Sequence, residues 1–515
     1  MKYVLSVVLF ALSLWFGFDG INQNLQKRAI HADESEQATT FLKLYKDGEY
    51  KYNPNGPHGP TLYYWANWAE KTSYKTPAKE IEVQHLRKLM LPMSIIAIIA
   101  ILSVAGQIGL CAGLCSASIF ISTSLAQIYG TYFIQEIIFA LSIFLTTLTS
   151  LLFVRNQSVL NAILLGISAG FAQASKETSV IAFASIGLSL ITLATTNDIF
   201  RNSCKNIFSK KTLVNISICA ICFVCISAIW YSSFGSNIQG CIDAIKSYFI
   251  HFFDKAQMSE HHAESLYYIK LLFVQKSQGV FFGEILFTAL AIIGFILSII
   301  NLRSKKNEIN GALTSLYFGL CSIFTILILS FITYKTPWLL LSPIMLMCVP
   351  AGYFVSKIFS MRIIYSLPIV TLIIVCYVYL QNPITTNAVK RFHSDPRNPF
   401  IYSHTVSDEK NLVSRIFECA KFSDYKEEIP IAFVGKISPW PLPWQLRNFT
   451  NVGYWKNTPS NINDFEVIIV DTFLANELDK KIDKSKYVSD FFGIRNNTIL
   501  TIYIKDKIFK KIIEQ

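Results

Sequence analysis

The sequence predicts a polytopic α-helical membrane protein with a small α/β domain at its C-terminal end. Three observations predict this. Apolar stretches long enough to cross a bilayer, which takes about 20 residues at 1.5 Å each, recur from the first residues to about position 380. Only 16% of the 515 residues are charged, against about a quarter in soluble domains, and 52% are hydrophobic. Beyond position 381 charge rises and the apolar runs shrink to strand length.

Eleven candidate spans lie near 3–19, 89–107, 110–128, 134–153, 158–174, 177–196, 212–231, 280–300, 311–333, 337–356 and 363–380. The first is read as a retained anchor, because no small-x-small cleavage site follows it. Lys2, then Arg155, then Arg201, Lys205, Lys210 and Lys211, then Arg303, Lys305 and Lys306, then Lys357 and Arg362 fall on alternate connections. The positive-inside bias puts that side in the cytoplasm. The N-terminus is then cytoplasmic, and the C-terminal domain lies outside the cytoplasmic membrane. The same distribution removes the nucleic-acid partner that a net charge of +12 invites. The basic residues sit in short loops, with no aromatic-interleaved groove.

Four segments are expected on the outer side: 20–88, 129–134, 232–279 and everything after about 381. The chain thus divides into a membrane domain, 1–381, and an external α/β domain, 382–515. In the first loop Ala38, Phe41, Leu42 and Tyr45 recur at helical spacing, and Gly48 ends that helix. Leu62, Trp65, Ala66 and Ala69 repeat the pattern, with Tyr63, Tyr64 and Trp68 as interface-seeking rings. In the external domain 431–434, 467–470 and 499–504 read as strands. Cys219, Cys222 and Cys225 have iron–sulfur spacing but lie in an unbroken apolar run, where a thiol is a small hydrophobe. Cys241 and Cys419 fall on the outer side, and sequence does not say whether they pair.

Polar residues from distant parts of the chain map to one membrane face. Asp33, Glu34 and His58 lie in the first loop, and Tyr132, Gln135 and Glu136 at the outer end of the fourth span. Ser175, Lys176 and Glu177 stand at the junction of spans five and six. His251, His261, His262, Tyr267 and Tyr268 lie in the third outer loop, and Tyr334, Lys335 and Trp338 at the end of span nine. Ionisable groups at or in spans are costly and are read as functional. Each has a plainer reading. Asp33 followed by Glu36 matches a helix capping box, and Glu34 suits the first turn of a helix. Lys176 and Glu177 can neutralise each other, and adjacent histidines do not share a helix face. Lys335 precedes a Pro-started helix, where point charge and helix dipole together suit a phosphate.

These residues carry a resemblance. The strings are His31-Ala32-Asp33-Glu34, Tyr52-Asn53-Pro54 with His58-Gly59-Pro60, Tyr132-Phe133-Ile134-Gln135-Glu136, Ser175-Lys176-Glu177-Thr178 and Tyr334-Lys335-Thr336-Pro337-Trp338. Two more, Tyr402-Ser403-His404-Thr405 and Trp440-Pro441-Leu442-Pro443-Trp444-Gln445-Leu446-Arg447, follow in order. Together they resemble the GT-C superfamily of membrane glycosyltransferases. The branch is that of protein O-mannosyltransferases and lipid A aminoarabinose transferases, and the set is most similar to the flippase-activity-associated proteins of bacteria and archaea. The resemblance implies an inverting transferase of hexosyltransferase type that moves a sugar from a polyprenyl-phosphate donor to an acceptor hydroxyl. Asp33 maps to the general base, with Glu34 as a positioning or metal-linked partner. Lys335, then Arg87 and Lys176, are the cations for the leaving phosphate. His58, Tyr132, Glu136, Glu177, Tyr334 and Trp338 would contact substrate. Some relatives hold a divalent metal near that phosphate, and Glu34, Glu136, His58 and His261 are the residues here that can ligate one. The acceptor, whether protein, lipid or glycan, is not named by sequence.

Two other classes compete. A transporter or flippase component for lipid-linked sugars would place its site near the midplane, with internal repeats; no repeat is visible, and the charges gather at one face. A non-catalytic membrane scaffold would make the outer domain the working part. The Trp440–Arg447 string suits stacking on a sugar, docking of the domain or packing of its core.

Overall fold

The computed structural model describes residues 2–56, 58–204, 209–257, 263–304, 309–402 and 404–514. Among them nine helices are long and apolar enough to cross a membrane. Two shorter apolar helices, Leu110–Ser122 and Val159–Ser175, complete the eleven expected positions. The first of these is short because the chain turns at Thr123, whose hydroxyl accepts the Ala126 N–H and starts a separate helix, Ser124–Tyr129. The chain is a multi-pass membrane protein. Glu136–Arg155 and Pro337–Phe359 are buried at the centre of the bundle, while Lys210–Tyr231 and Ile363–Arg391 are peripheral. Large apolar side chains such as Trp15, Ile221, Phe331 and Leu372 face outward, as lipid-solvated surface requires. The last helical stretch passes the expected domain boundary at 381/382 and runs to Arg391.

Small residues let the helices approach closely. A Cβ on Gly166 would lie 2.4 Å from the Cys219 carbonyl oxygen, and one on Gly170 2.8 Å from that of Phe223. The cysteine run therefore lines a helix–helix contact. Cys241 lies against the Ala228 carbonyl and Cys419 is buried in the external domain's core, so the two do not pair.

Two helices occupy the first outer loop, α2 (Ala32–Asp47) and α3 (Thr61–Ala69), after the first span α1 (Lys2–Lys27). Ala38, Phe41 and Leu42 of α2 and Leu62 and Ala66 of α3 are buried. Gly48 ends α2 in the left-handed region at φ 73° and donates its N–H to the Leu44 carbonyl. A small hairpin, β1 (Gln275–Ser277) and β2 (Val280–Phe282), lies in the third outer loop.

The C-terminal sheet region contains β3 (Ile431–Val434), β4 (Val452–Trp455), β5 (Val467–Asp471), β6 (Tyr487–Arg495) and β7 (Thr498–Lys505), ordered β4-β3-β5-β7-β6. β3 pairs in parallel with β4 and β5; β7 runs antiparallel to β5 and β6. Ile431, Phe433, Val467 and Ile469 face one buried cluster with the helix Glu409–Phe422, and Ala432, Val434, Ile468 and Val470 face another. Burial on both faces is why the central strands read as continuous apolar runs.

The Trp440–Arg447 string divides between two of its three expected uses: Leu442 and Leu446 pack in the C-terminal domain's own core, while the two Trp rings dock on the membrane part. Trp444 is buried in the core of the membrane part, and the Arg447 guanidinium stacks on its ring at 4.0 Å. Arg447 donates to the Ile81 carbonyl of the first loop at 2.5 Å. Asn448 and Arg447 both donate to the Lys79 carbonyl. The C-terminal α/β region is thereby clamped over the first loop.

Candidate active site

Asp33 and Glu34 are adjacent in sequence and part company in space. The chain leaves α1 at Lys27 and reaches His31 in extended conformation. His31, not Asp33, is the N-cap of α2. Its Nδ1 accepts the Asp33 N–H at 3.0 Å, and the Glu34 carboxylate accepts the His31 N–H at 3.1 Å. The capping box expected of Asp33 and Glu36 is therefore shifted two residues toward the N-terminus, because a histidine ring fills the role usually taken by a hydroxyl or carboxylate. The bond into Nδ1 leaves the ring proton on Nε2, which donates to the Tyr402 carbonyl at 3.0 Å. One hundred degrees around the helix, the Asp33 side chain projects to the rim and is 47% exposed.

Glu34 points inward and is closed off. Its carboxylate accepts from Arg28 at 2.9 Å, from Arg87 at 2.9 and 2.6 Å, and from the Phe133 N–H at 3.2 Å. Burial works against its ionisation, but the guanidiniums of Arg28 and Arg87 hold the carboxyl well below the usual range. Arg87 spends its remaining donors on the Leu25, Arg28 and Ala29 carbonyls. Glu34, expected as a catalytic or metal-linked partner, and Arg87, expected as a phosphate cation, are thus paired with each other. Both are buried parts of a clamp that fixes the α1–α2 turn to the Val83–Lys88 helix.

Tyr132 and Trp338 belong to the floor. The Tyr132 ring lies under the Arg28 guanidinium at 3.4 Å, and its hydroxyl meets His404 Nε2 at 2.5 Å. His31 packs against His404 at 4.8 Å and edge-on to Trp338 at 5.7 Å. Burial, with His31, Arg28 and Arg87 nearby, pushes His404 well below the ordinary histidine range and keeps it neutral. The Tyr132 hydroxyl is thus engaged by His404.

Tyr334 is raised by burial and then by the charges of Asp33, Tyr402 and Glu136. Lys335 is 2% exposed, and its ammonium donates to the Ile332 carbonyl. Among the described residues no carboxylate pairs with it, and burial lowers its pKa. Lys176 instead forms a buried ion pair with Glu136 across 40 residues. Lys176 and Glu177, read as a local pair, turn to different partners. Glu177 accepts from His58 at 2.9 Å and from Tyr52 at 3.3 Å. The 52–61 segment is further fastened by Gly59 N–H to the Ser175 carbonyl and Thr61 to the Ser175 hydroxyl. Gly59 is needed there, since a Cβ would lie 2.0 Å from the Ala174 carbonyl oxygen.

Each expected metal ligand among the described residues faces another partner. Glu34 is held by two arginines, Glu136 by Lys176, and His58 by Glu177, while His261 lies outside the described residues. No group of three His, Cys, Asp or Glu side chains that fits a metal ion occurs among the described residues. These residues do not fit a divalent ion as arranged, and no step below runs through one. Sequence reasoning passed over Arg28, His31 and His404 as individual site members. The signal for Arg28 was a cation six residues before a first-turn acid; its partner across the site, Arg87, follows 53 residues after that acid.

No family model matches the chain, and no curated protein matches it. Solved structures do. ArnT from Cupriavidus metallidurans in the apo state is similar with a TM-score of 0.62 and 11% identity, over 97% of this chain and 98% of that one. The same protein bound to undecaprenyl phosphate gives 0.59 and 12%, over 97% and 98%. The oligosaccharyltransferase AglB from Archaeoglobus fulgidus, in complex with an inhibitory peptide and a dolichol-phosphate, gives 0.50 and 10%, over 99% and 77%. The chain thus shares its fold with these solved membrane proteins over nearly its whole length.

Proposed function

We propose that the chain is a membrane glycosyltransferase that moves a sugar from a polyprenyl-phosphate donor to an acceptor hydroxyl, with inversion, on the outer face of the cytoplasmic membrane. The observation that carries this is the contrast at the rim. Asp33 is a half-exposed carboxylate whose charge is felt at Tyr334, and the residue after Tyr334, Lys335, is a buried cation with no carboxylate partner among the described residues. Burying an uncompensated ammonium is costly, and a bound phosphate would compensate it.

In this reading Asp33 takes the proton of the acceptor hydroxyl, and the oxygen attacks the anomeric carbon. The bond from that carbon to the phosphate oxygen breaks, and its electron pair leaves with the polyprenyl phosphate, whose charge Lys335 meets. His31 positions Asp33 by fixing its backbone, and the Glu34 clamp fixes His31. The solved relatives' lipid phosphates, undecaprenyl phosphate in one and dolichol-phosphate in the other, support the donor class. The basic connections put the N-terminus in the cytoplasm and the site outside.

The test is purified protein in detergent with a panel of polyprenyl-phosphate sugars and crude cell-envelope acceptor. Asp33→Asn is expected to lose about 10²–10⁴-fold in transfer while remaining folded. Lys335→Ala is expected to raise the donor KM. Transfer at the wild-type rate by Asp33→Asn would overturn the assignment of the base.

A further inference from the structure

The third outer loop brings a short helix, Tyr267–Leu272, against the segment that follows Lys335. It packs on Pro337–Leu340 and on the span Ile309–Phe331. Its C-terminal end is fastened. Leu271 and Leu272 are buried, and the Thr288 hydroxyl donates to the Leu272 carbonyl at 2.7 Å. Gly283 crosses so closely that a Cβ there would lie 2.1 Å from the Phe273 carbonyl oxygen. The first two residues of the helix are tyrosines. Tyr268 is fully buried and Tyr267 partly so, with their rings 5.1 Å apart and steeply tilted at 72°. Burial raises the Tyr268 phenol, and the groups that act on it next are Tyr267, the Thr336 N–H, Tyr334 and Glu136.

Three hydroxyls here are shut off from solvent and have no hydrogen-bond partner among the described residues, those of Tyr267, Tyr268 and Thr336. The Thr336 N–H comes near the Tyr268 oxygen without completing a hydrogen bond. A buried hydroxyl without a partner is costly, and each can both donate and accept. Three of them in adjoining segments suit a ligand that brings hydroxyls of its own. An anion is the poorer match, because the carboxylates that act here, Glu136 on Tyr268 and Asp33 on Tyr334, oppose it. Thr336 follows Lys335 directly. A ligand whose phosphate meets Lys335 therefore carries its next group toward this helix, and in a polyprenyl-phosphate sugar that group is the sugar ring.

We propose that Tyr268, with Tyr267 and Thr336, binds the hydroxyls of the transferred sugar, an uncharged hexose, and that these residues set the choice of donor. The proposal rests on the transferase reading for its donor class. The sugar reaches the hydroxyls by lifting the first turn of the helix, whose fastening is at the other end. The experiment is equilibrium binding to the full chain in detergent, with thermal unfolding as the check on folding. The probes are undecaprenyl phosphate and the same lipid phosphate carrying glucose, mannose, galactose or glucuronate. At least one hexose-bearing lipid is expected to bind about tenfold or more tighter than undecaprenyl phosphate, and the glucuronate-bearing one is not. Tyr268→Phe and Thr336→Val are each expected to cut that advantage about fivefold and to leave the affinity for undecaprenyl phosphate within about twofold. Neither is expected to lower the melting temperature, since each removes a buried hydroxyl that lacks a partner. Tyr353→Phe, beside Asn301 at the opposite end of the bundle, is expected to change neither affinity. Equal binding of all five lipids, tightest binding of the glucuronate-bearing one, an intact advantage in Tyr268→Phe, or an equal loss for undecaprenyl phosphate would overturn the proposal and leave the donor class standing. Failure of undecaprenyl phosphate itself to bind would overturn the donor class, and this proposal with it.

Discussion

Two adjacent acids perform opposite tasks here, because a helix turns 100° between them. Asp33 is set at the rim, while Glu34 is surrounded by two guanidiniums and two backbone N–H groups. The difference is testable in stability. Glu34→Gln leaves Arg28 and Arg87 buried with their countercharge removed, and breaking a buried ion pair in this way costs about 3–5 kcal/mol. Glu34→Gln is therefore expected to unfold at a markedly lower temperature in detergent, whereas Asp33→Asn is expected to melt close to wild type. Equal melting of the two variants would remove the clamp role. Sequence made Asp33 and Glu34 visible as a pair but did not separate them, because the partner that separates them, Arg87, is 53 residues away and is brought in by the start of the second span.

At the scale of elements, the C-terminal α/β region is held to the membrane part by a short stretch around Trp444, and a titratable group sits beside it. Glu409, the first residue of the helix Glu409–Phe422, is buried and accepts from Gln445 at 2.9 Å. Burial raises its carboxyl from 4.5 to about 7. Its folded pKa is thus above the unfolded value, so the fold favours the protonated acid. The associated stability is fully present below about pH 4.5 and is lost as pH rises through about 7. A shift of this size corresponds to an upper bound of about 3 kcal/mol. Glu409→Gln is expected to melt like wild type at pH 5 and to be the more stable of the two at pH 8; parallel pH profiles would refute this. Strands at 431–434, 467–470 and 499–504 were legible as apolar runs because both of their faces are covered. β4 and β6 were not, because they are the partly exposed edges of the sheet and carry Gly, Ser and Asp among their apolar residues in place of an unbroken apolar run.

At the scale of the whole molecule, every member of the candidate site lies at one end of the bundle, and the basic connections lie at the other. Arg155, Arg201, Lys210, Lys211, Arg303 and Arg362 close the spans opposite to Asp33. Cysteine introduced at Lys51 or at Lys211 in a cysteine-free background checks the orientation in intact cells. Lys51→Cys is expected to react with a membrane-impermeant maleimide, and Lys211→Cys only after permeabilisation. The reverse pattern would place the site in the cytoplasm and undo the proposed direction of sugar transfer.

What the sequence determined by itself is the set of elements. Eleven apolar stretches, two helices in the first loop, the Gly48 stop and the three inner strands follow from local pattern, because burial in lipid or in a core leaves its period in the chain. The strings around Asp33, His58, Glu136, Lys176 and Lys335 were also visible as a set at one face. Only the tertiary structure decided which charge meets which. Lys176 pairs with Glu136 and not with Glu177, Glu177 holds His58, two arginines close over Glu34, and Lys335 is left to a backbone carbonyl. Ion pairing and capping are chosen by distance in space, and residues that meet across 40 to 119 positions leave no periodic trace in the sequence that brings them together.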